Sequence, residues 1–383
     1  MRDDQRLVKE LLAEAGVTVG GDRPWDLEVH DPRFYRRVIA ERNLGLGESY
    51  MDGWWDCPRL DAFFDRLLRS GIEGRVRGSL RLALRSLPAI LFNLQSRARA
   101  RRVVDQHYER GNDLFLSFLD SYNQYSCAFF GEGDDLEEAQ RRKMELICRK
   151  IDLQASDRLL DIGCGWGGFA RYAAERSGCR VTAVNLSREQ LTHAREFCRG
   201  LPVEGVETDY RDIEGVFDKI VSVGMFEHVG SKNYRCFMEK AASLLAADGV
   251  FLLQTIGGND SRRGCDPWIT RYIFPNGMLP SLAQIARAAE GLFVIEDVHN
   301  LGPHYDRTLL AWHRRFEQAW PRLAPKYGAR FKRMWDYYLL SCAGAFRARA
   351  IQLWQIVFTR AGRGAPQPPC RPIPGRGRQI GEG

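Results

Sequence analysis

The chain is expected to fold as an α/β protein, a doubly wound and mostly parallel sheet preceded by a small helical N-terminal domain. Three observations carry that expectation. Strand-like and helix-like stretches alternate from about residue 106 to 360. Residues 161–168 (DIGCGWGG) form a glycine-rich turn between an apolar run and a helical segment. Residues 1–92 instead show helical spacing, in Leu7, Leu11 and Leu12 and again in Phe63, Phe64, Leu67 and Leu68.

Taken in chain order, the N-terminal helical domain spans residues 1–92. A stretch rich in glycine and aromatics, 44–55 (LGLGESYMDGWW), reads as a loop between its helices. Residues 93–105 are polar and basic and read as a linker. The catalytic domain is expected over 106–360, with candidate strands at 158–162, 180–184, 203–207, 217–223, 249–255 and 306–312. The tail, 361–383, is rich in Pro, Gly and Arg and is expected to be disordered. No internal repeat is apparent.

Length and charge bound the function classes. A chain of 383 residues is long enough for a full α/β domain and a smaller one, and 44% apolar content is ordinary for a globular protein. No apolar run reaches the length needed to cross a bilayer, and residues 1–5 (MRDDQ) lack the apolar segment of a secretory signal. The ten cysteines show no metal-like spacing with histidine, so no metal is expected and reduced thiols are. Net charge is +7, and residues 75–104 hold eight arginines and no acid, interleaved with apolar residues. Such a stretch suits an anionic membrane surface, or equally a solvated helical face beside a linker. Pro88 argues against one unbroken helix there. No nucleic-acid module accompanies it, so nucleic acid is not expected as a partner.

The glycine turn lets a backbone approach a nucleotide-like ligand, and the helix after it points free N–H groups at the same place. Its glycines fall as G-x-G-x-G, with Asp161 two positions before the first. A dinucleotide fingerprint is G-x-G-x-x-G, with an acid about twenty residues later. Here the second strand ends in Asn185, which is neutral. The spacing fits an S-adenosylmethionine (SAM) methyltransferase better than a dehydrogenase, although any glycine-rich βα turn shares part of it.

Further blocks carry a resemblance. Residues 44–55, 107–115 (HYERGNDLF), 124–128 (QYSCA), 161–168, 222–230 (SVGMFEHVG), 271–280 (RYIFPNGMLP), 305–312 (YDRTLLAW) and 342–349 (CAGAFRAR) occur in that order. With them the chain resembles the bacterial cyclopropane-fatty-acyl-phospholipid synthases over nearly its whole length. The resemblance implies the class I SAM methyltransferase (Rossmann-like) fold. It also implies an enzyme that adds the methyl carbon of SAM across a cis double bond of a phospholipid acyl chain. Such chemistry needs the sulfonium held in line, a cation kept from water, and a base near the new methyl group.

The resemblance also implies the site. Tyr125 and Ser126 would lie over the methionine end of SAM, with Asp161, Gly163, Cys164 and Gly165 in the glycine loop. Asn185, Leu186, Ser187 and Gln190 would lie near the ribose, Tyr210 and Arg211 beside the adenine, and Gly224 at the end of the fourth strand. Tyr210 could equally be a core aromatic, Asp161 a loop organiser, and His107 an orderer of the linker-side helix. A bound bicarbonate, the implied base, would be held by Cys127, Glu227, Gln254, Ile256 and Tyr305. Residue 254 departs from the family, where histidine is usual; glutamine still donates a hydrogen bond but cannot become cationic near neutral pH. Weaker or differently pH-dependent bicarbonate use is therefore expected. Cys342 matches an active-site cysteine, and pocket lining or simple burial suits it equally.

The implied partner is a phospholipid bilayer with unsaturated acyl chains. The implied state is a homodimer, cytoplasmic and peripheral on the inner face of the cell membrane, docked through its N-terminal domain. Rival readings are a SAM-dependent methyltransferase making a methyl branch on an acyl chain, one methylating an amine, and a catalytically silent lipid-binding protein.

Overall fold

The computed structural model describes residues 3–72, 111–261, 264–362 and 364. The linker, the basic stretch from residue 75 onward, His107 and the tail beyond Gly364 lie outside the described residues. The N-terminal part comprises helices Asp3–Glu14, Arg33–Glu41, Asn43–Met51 and Leu60–Arg69, with a short antiparallel pair, β1 (Glu28–Val29) and β2 (Trp55–Asp56).

The glycine-rich stretch expected as a loop is instead largely the Asn43–Met51 helix, and close packing explains its glycines. A Cβ on Gly45 would lie 2.5 Å from the Arg37 carbonyl oxygen, and one on Gly47 would lie 2.4 Å from the Trp268 ring. Glycine costs helix stability, and here it is what permits two such approaches. Trp268 belongs to the Pro267–Tyr272 helix, far along the chain. One apolar core accordingly runs through Phe34, Trp55 and Phe63, and on into Trp268, Trp312 and Trp335. Ion pairs span the same seam, with Arg333 on Asp56 at 2.7 Å and Arg347 on Asp61 at 2.8 Å.

The central sheet contains β3 (Arg158–Ile162), β4 (Arg180–Asn185), β5 (Val203–Glu207), β6 (Phe217–Val223), β7 (Leu245–Gly258), β8 (Phe293–Asn300) and β9 (Ile351–Arg360). Their order is β5–β4–β3–β6–β7–β9–β8. The first five are parallel, while β9 runs antiparallel to β7 and to β8. Parallel strands must be covered on both faces, and the side chains divide accordingly. Leu160, Ile220, Phe251 and Leu253 enter one cluster, and Leu159, Val221 and Leu252 enter the other. The strand order reverses at β3, so the crevice for a ligand opens above its carboxyl end.

The strand expected at 306–312 is not one. It lies within the long helix Gly302–Arg347. The buried positions Tyr305, Leu309, Trp312, Phe316, Ala319 and Leu323 recur at alternating spacings of four and three, the repeat of one helix face. The helix breaks direction at Gly328, whose backbone is non-helical. The last two strands of the sheet, β8 and β9, were not anticipated. Among the described residues no helix is long and apolar enough to cross a membrane, and the nine described cysteines are free.

Candidate active site

The glycine loop follows β3, and Gly163, Gly165 and Gly167 all adopt positive φ. Backbone N–H groups of Gly163 and Cys164 donate to the Val184 carbonyl at 2.9 and 3.0 Å, tying the loop to β4. Asn185 reinforces that tie. Its Nδ2 donates to the Gly165 carbonyl (3.2 Å) and to Gln190 Oε1 (2.9 Å), and its Oδ1 accepts from the Ser187 N–H. A crevice opens above the loop. Tyr125, Ser126, Asp161, Gly163, Cys164, Gly165, Asn185, Leu186, Gln190, Tyr210, Arg211 and Gly224 all line it. Ser187 does not; it caps the Arg188–Phe197 helix by accepting the Gln190 N–H.

Asp161 is a carboxyl in the crevice lining. It is buried, and its Oδ2 has no hydrogen-bond partner. Burial pushes its carboxyl up to about 7, opposed by the positive charge of Lys143. Arg211, by contrast, spends its guanidinium on Asp209 at 2.6–2.7 Å. Tyr210 meets both of its readings: it lines the crevice and packs edge-on against Phe237 at 5.2 Å.

Cys127, Glu227, Gln254, Ile256, Tyr305 and Cys342 lie outside the crevice lining; Cys127, Glu227, Tyr305 and Cys342 form a second neighbourhood, Ile256 joins it through Glu227, and the Gln254 side chain pairs with Gln355. Glu227 Oε1 accepts the Ile256 N–H at 2.7 Å, and its Oε2 is buried without a hydrogen-bond partner. Burial pushes Glu227 up to about 7, against the pull of the Ile256 N–H. The amide expected to hold an anion is thus engaged by Glu227 itself. Gln254 Oε1 accepts from Gln355 Nε2 at 2.9 Å, which leaves its Nε2, a donor, as the other end of the amide. The Gln254 backbone carbonyl accepts the Gly224 N–H, so β7 links the two neighbourhoods.

Tyr305 stacks on Phe346 at 4.5 Å, and Cys127, Tyr125, Glu227 and Cys342 act on its hydroxyl electrostatically. Burial holds that hydroxyl far above its usual range, so it stays a donor. Cys127 is fully buried, and burial pushes its thiol up as well. Burial pushes the Cys342 thiol up to about 12, with Cys265 and Asp266 as its titratable neighbours, so it is no thiolate near neutral pH.

Several residues at the site went unnoticed in the sequence. Tyr125 sits in an aromatic cluster with Phe115 (5.0 Å), Trp312 (5.2 Å), Phe118 and Trp166, and its hydroxyl meets that of Tyr338 at 2.8 Å. His228 lines the crevice, and burial pushes it down to about 4, leaving a neutral imidazole. Lys143 lies fully buried behind Ser126. From sequence alone the rings look like ordinary core, and a lysine on an amphipathic helix looks solvated.

A glycine loop after the central strand, under a sheet of this order, defines a SAM-dependent methyltransferase, and comparison with known proteins agrees. The family model described as mycolic acid cyclopropane synthetase matches residues 95–356, and the chain belongs to that family. The chain is 52% identical, over 355 residues and 93% of each chain, to the cyclopropane-fatty-acyl-phospholipid synthase of Escherichia coli K12. It is 33% identical, over 94% of its length and 90% of the relative's, to the tuberculostearic acid methyltransferase UfaA1 of Mycobacterium tuberculosis. The solved mycolic acid cyclopropane synthase CmaA1, complexed with SAH and CTAB, aligns at a TM-score of 0.63 and 32% identity. That alignment covers 68% of this chain and 98% of the other.

Proposed function

We propose that the protein is a cyclopropane-fatty-acyl-phospholipid synthase, transferring a methylene from SAM to the cis double bond of a phospholipid acyl chain. The observation that carries this reading is the 52% identity, over nearly the full length of both chains, to the E. coli synthase. The crevice is read as the SAM site. The unpartnered Asp161 Oδ2 suits the ammonium of a methionine moiety, and the open glycines leave room for backbone contact. SAM supplies an electrophilic methyl group on a cationic sulfur.

The alkene's π pair forms the new C–C bond as the C–S bond breaks and S-adenosylhomocysteine leaves. A carbocation remains on the acyl chain. Tyr125 and Trp166, which line the crevice, offer it aromatic rings, and Phe115 and Trp312 pack around Tyr125 so that water is kept away. Loss of a proton from the transferred carbon then closes the ring. Bicarbonate, when bound, supplies the proton acceptor. The residues read as holding it are Glu227, Gln254, Tyr305 and the backbone at Cys127, with the Ile256 N–H orienting Glu227 rather than meeting the anion. The fit is reasonable on chemical grounds. Glu227 keeps an unpartnered buried oxygen and stays partly protonated near neutral pH, while Gln254 Nε2 and the Tyr305 hydroxyl have the chemistry of donors.

A second reading, methyl branching, draws on the 33% identity to UfaA1 and on glutamine at position 254. Mass spectrometry of phospholipids incubated with the protein and trideuteromethyl SAM separates the two. Gain of CD2 with one deuterium lost supports ring closure. Retention of all three deuteriums refutes it in favour of branching. We further infer a peripheral protein on the inner face of the cell membrane, from the eight arginines of residues 75–104 and the lipid substrate, and, from the family resemblance alone, a homodimer. Sedimentation with anionic vesicles tests the membrane part, and failure to sediment in low salt refutes it. Analytical ultracentrifugation tests the dimer.

A further inference from the structure

Methyl transfer as described makes no use of one buried cation. Lys143, on the Leu136–Lys150 helix, is completely buried. Its Nζ donates to Gln124 Oε1 and to Ser126 Oγ, the latter at 3.0 Å. Gln140, one turn earlier, donates its Nε2 to the backbone carbonyls of Gln124 (3.3 Å) and Ser126 (2.8 Å). One helix face thereby grips both ends of the 124–126 segment, all of which lines the crevice. From the opposite side the same segment presses on the glycine loop. A Cβ on Gly168 would lie 1.7 Å from the Tyr122 carbonyl oxygen and 2.4 Å from Gln124 Nε2.

Burying an ammonium is costly, and burial pushes Lys143 down to about 8. A neutral glutamine could make similar hydrogen bonds more cheaply, so the charge itself needs a purpose. The titratable groups facing Lys143 are Asp120, Asp161 and the Cys127 thiol. Asp120 is already occupied, since it accepts the N–H groups of Gln124 (2.8 Å) and Tyr122 (3.0 Å). Asp161 is not: its Oδ2 is unpartnered in the crevice wall, and among the described residues the Cys164 and Cys198 thiols face it together with Lys143.

We propose that Lys143 is a positioning residue for the methyl donor. It clamps the 124–126 segment against the glycine loop and balances the Asp161 carboxylate, which faces the donor's ammonium. The inference rests on the reading of the crevice as the SAM site. Lys143 touches no reacting atom; it acts through Gln124, Ser126 and Asp161. Without its charge, Asp161 holds a proton to higher pH, and less of the protein carries the carboxylate that receives a cation.

The test is calorimetric titration of the full chain with SAM between pH 6 and 8.5, alongside kcat at saturating SAM. The parent, Lys143→Met, Lys143→Gln and Asp161→Asn are compared. Lys143→Met is expected to weaken SAM binding by about tenfold at pH 7, with a smaller loss in kcat, and to move the acid limb of binding to higher pH. Lys143→Gln, which keeps hydrogen-bonding capacity, is expected to preserve the fold yet show the same pH shift, and it decides the matter should the methionine variant not fold. Asp161→Asn is expected to weaken binding and abolish the acid limb. If Asp161→Asn weakens SAM while both Lys143 variants keep the parent affinity and acid limb, the role of Lys143 is overturned and the SAM site stands. If the parent does not bind SAM, or Asp161→Asn binds like the parent, the site reading fails and the inference with it.

Discussion

Gly168→Ala is the sharpest probe of how closely the site is packed. The new Cβ would sit 1.7 Å from the Tyr122 carbonyl oxygen, which is backbone and cannot swing aside. A comfortable carbon–oxygen contact is about 3.3 Å, so one side must retreat by roughly 1.6 Å. The retreating partner is the 122–124 segment, because Gly168 opens a ten-residue helix, Gly168–Ser177, anchored in the core. Tyr125 and Ser126 follow directly in sequence and line the crevice. Misplacement of a positioned group by about 1 Å can cost on the order of a hundredfold in rate, and overpacking typically costs about 1–3 kcal/mol of stability. The variant is therefore expected to remain folded, with Tm lowered by several degrees, and to lose about a hundredfold in kcat/KM for SAM. The assay is label transfer from trideuteromethyl SAM to unsaturated phospholipid vesicles, with calorimetry on the same preparation. A folded variant within threefold of the parent would refute the claim that the 122–126 segment sets the donor's position.

Glu227→Gln is expected to lower kcat by about 10²–10⁴-fold, as for loss of a group acting in proton transfer, with SAM affinity unchanged because Glu227 does not line the crevice. The same variant carries a stability signature. The carboxyl rises from 4.5 to about 7 on folding, so the stability tied to its neutral form is complete below pH 4.5 and is lost as pH rises through 7, by about 3 kcal/mol. The Tm advantage of Glu227→Gln over the parent should grow between pH 5 and 8; a constant difference refutes the buried acid. Gln254→His is expected to lower the bicarbonate concentration needed for half-maximal activity, more at pH 6.5 than at pH 8. Unchanged dependence on bicarbonate at both pH values counts against residue 254 as part of the base site. Gly47→Ala places a Cβ 2.4 Å from the Trp268 ring and is expected to destabilise the protein by about 1–3 kcal/mol. An unchanged Tm refutes the tight seam between the N-terminal helices and the Pro267–Tyr272 helix.

The parts legible in the sequence were those whose cause is local. Residues 161–168 declare a strand, a tight turn and a helix because glycine alone tolerates the positive φ that the turn requires. The alternation that followed placed β3 to β6 at or within one residue of their observed ends. Residues 306–312 were misread because a short apolar run does not reveal its period; only the 305–323 spacing identifies a helix face. Gly45 and Gly47 suggested a loop because single-residue preference carries no information about what packs on them, the Arg37 carbonyl on Gly45 and, on Gly47, Trp268 more than two hundred residues away. The aromatic cluster around Tyr125 was illegible for a related reason: its rings come from separate segments, 115–125, Trp166, Trp312 and Tyr338. Lys143 gave no signal at all, since a lysine on an amphipathic helix is ordinarily solvated.

The long helix Gly302–Arg347 carries Tyr305 near one end and Gly344 near the other. Gly344 has no room for a side chain, because the Asp61 carbonyl oxygen would lie 2.6 Å from its Cβ. Tyr337 packs against Tyr50 and Phe64, in the core shared with Phe63 and Trp55. Residues 111–362 are therefore not a portable cassette. Excised without residues 3–72, they would present a raw apolar surface on the helix that carries Tyr305, and grafting them onto a different N-terminal module would require rebuilding that surface first.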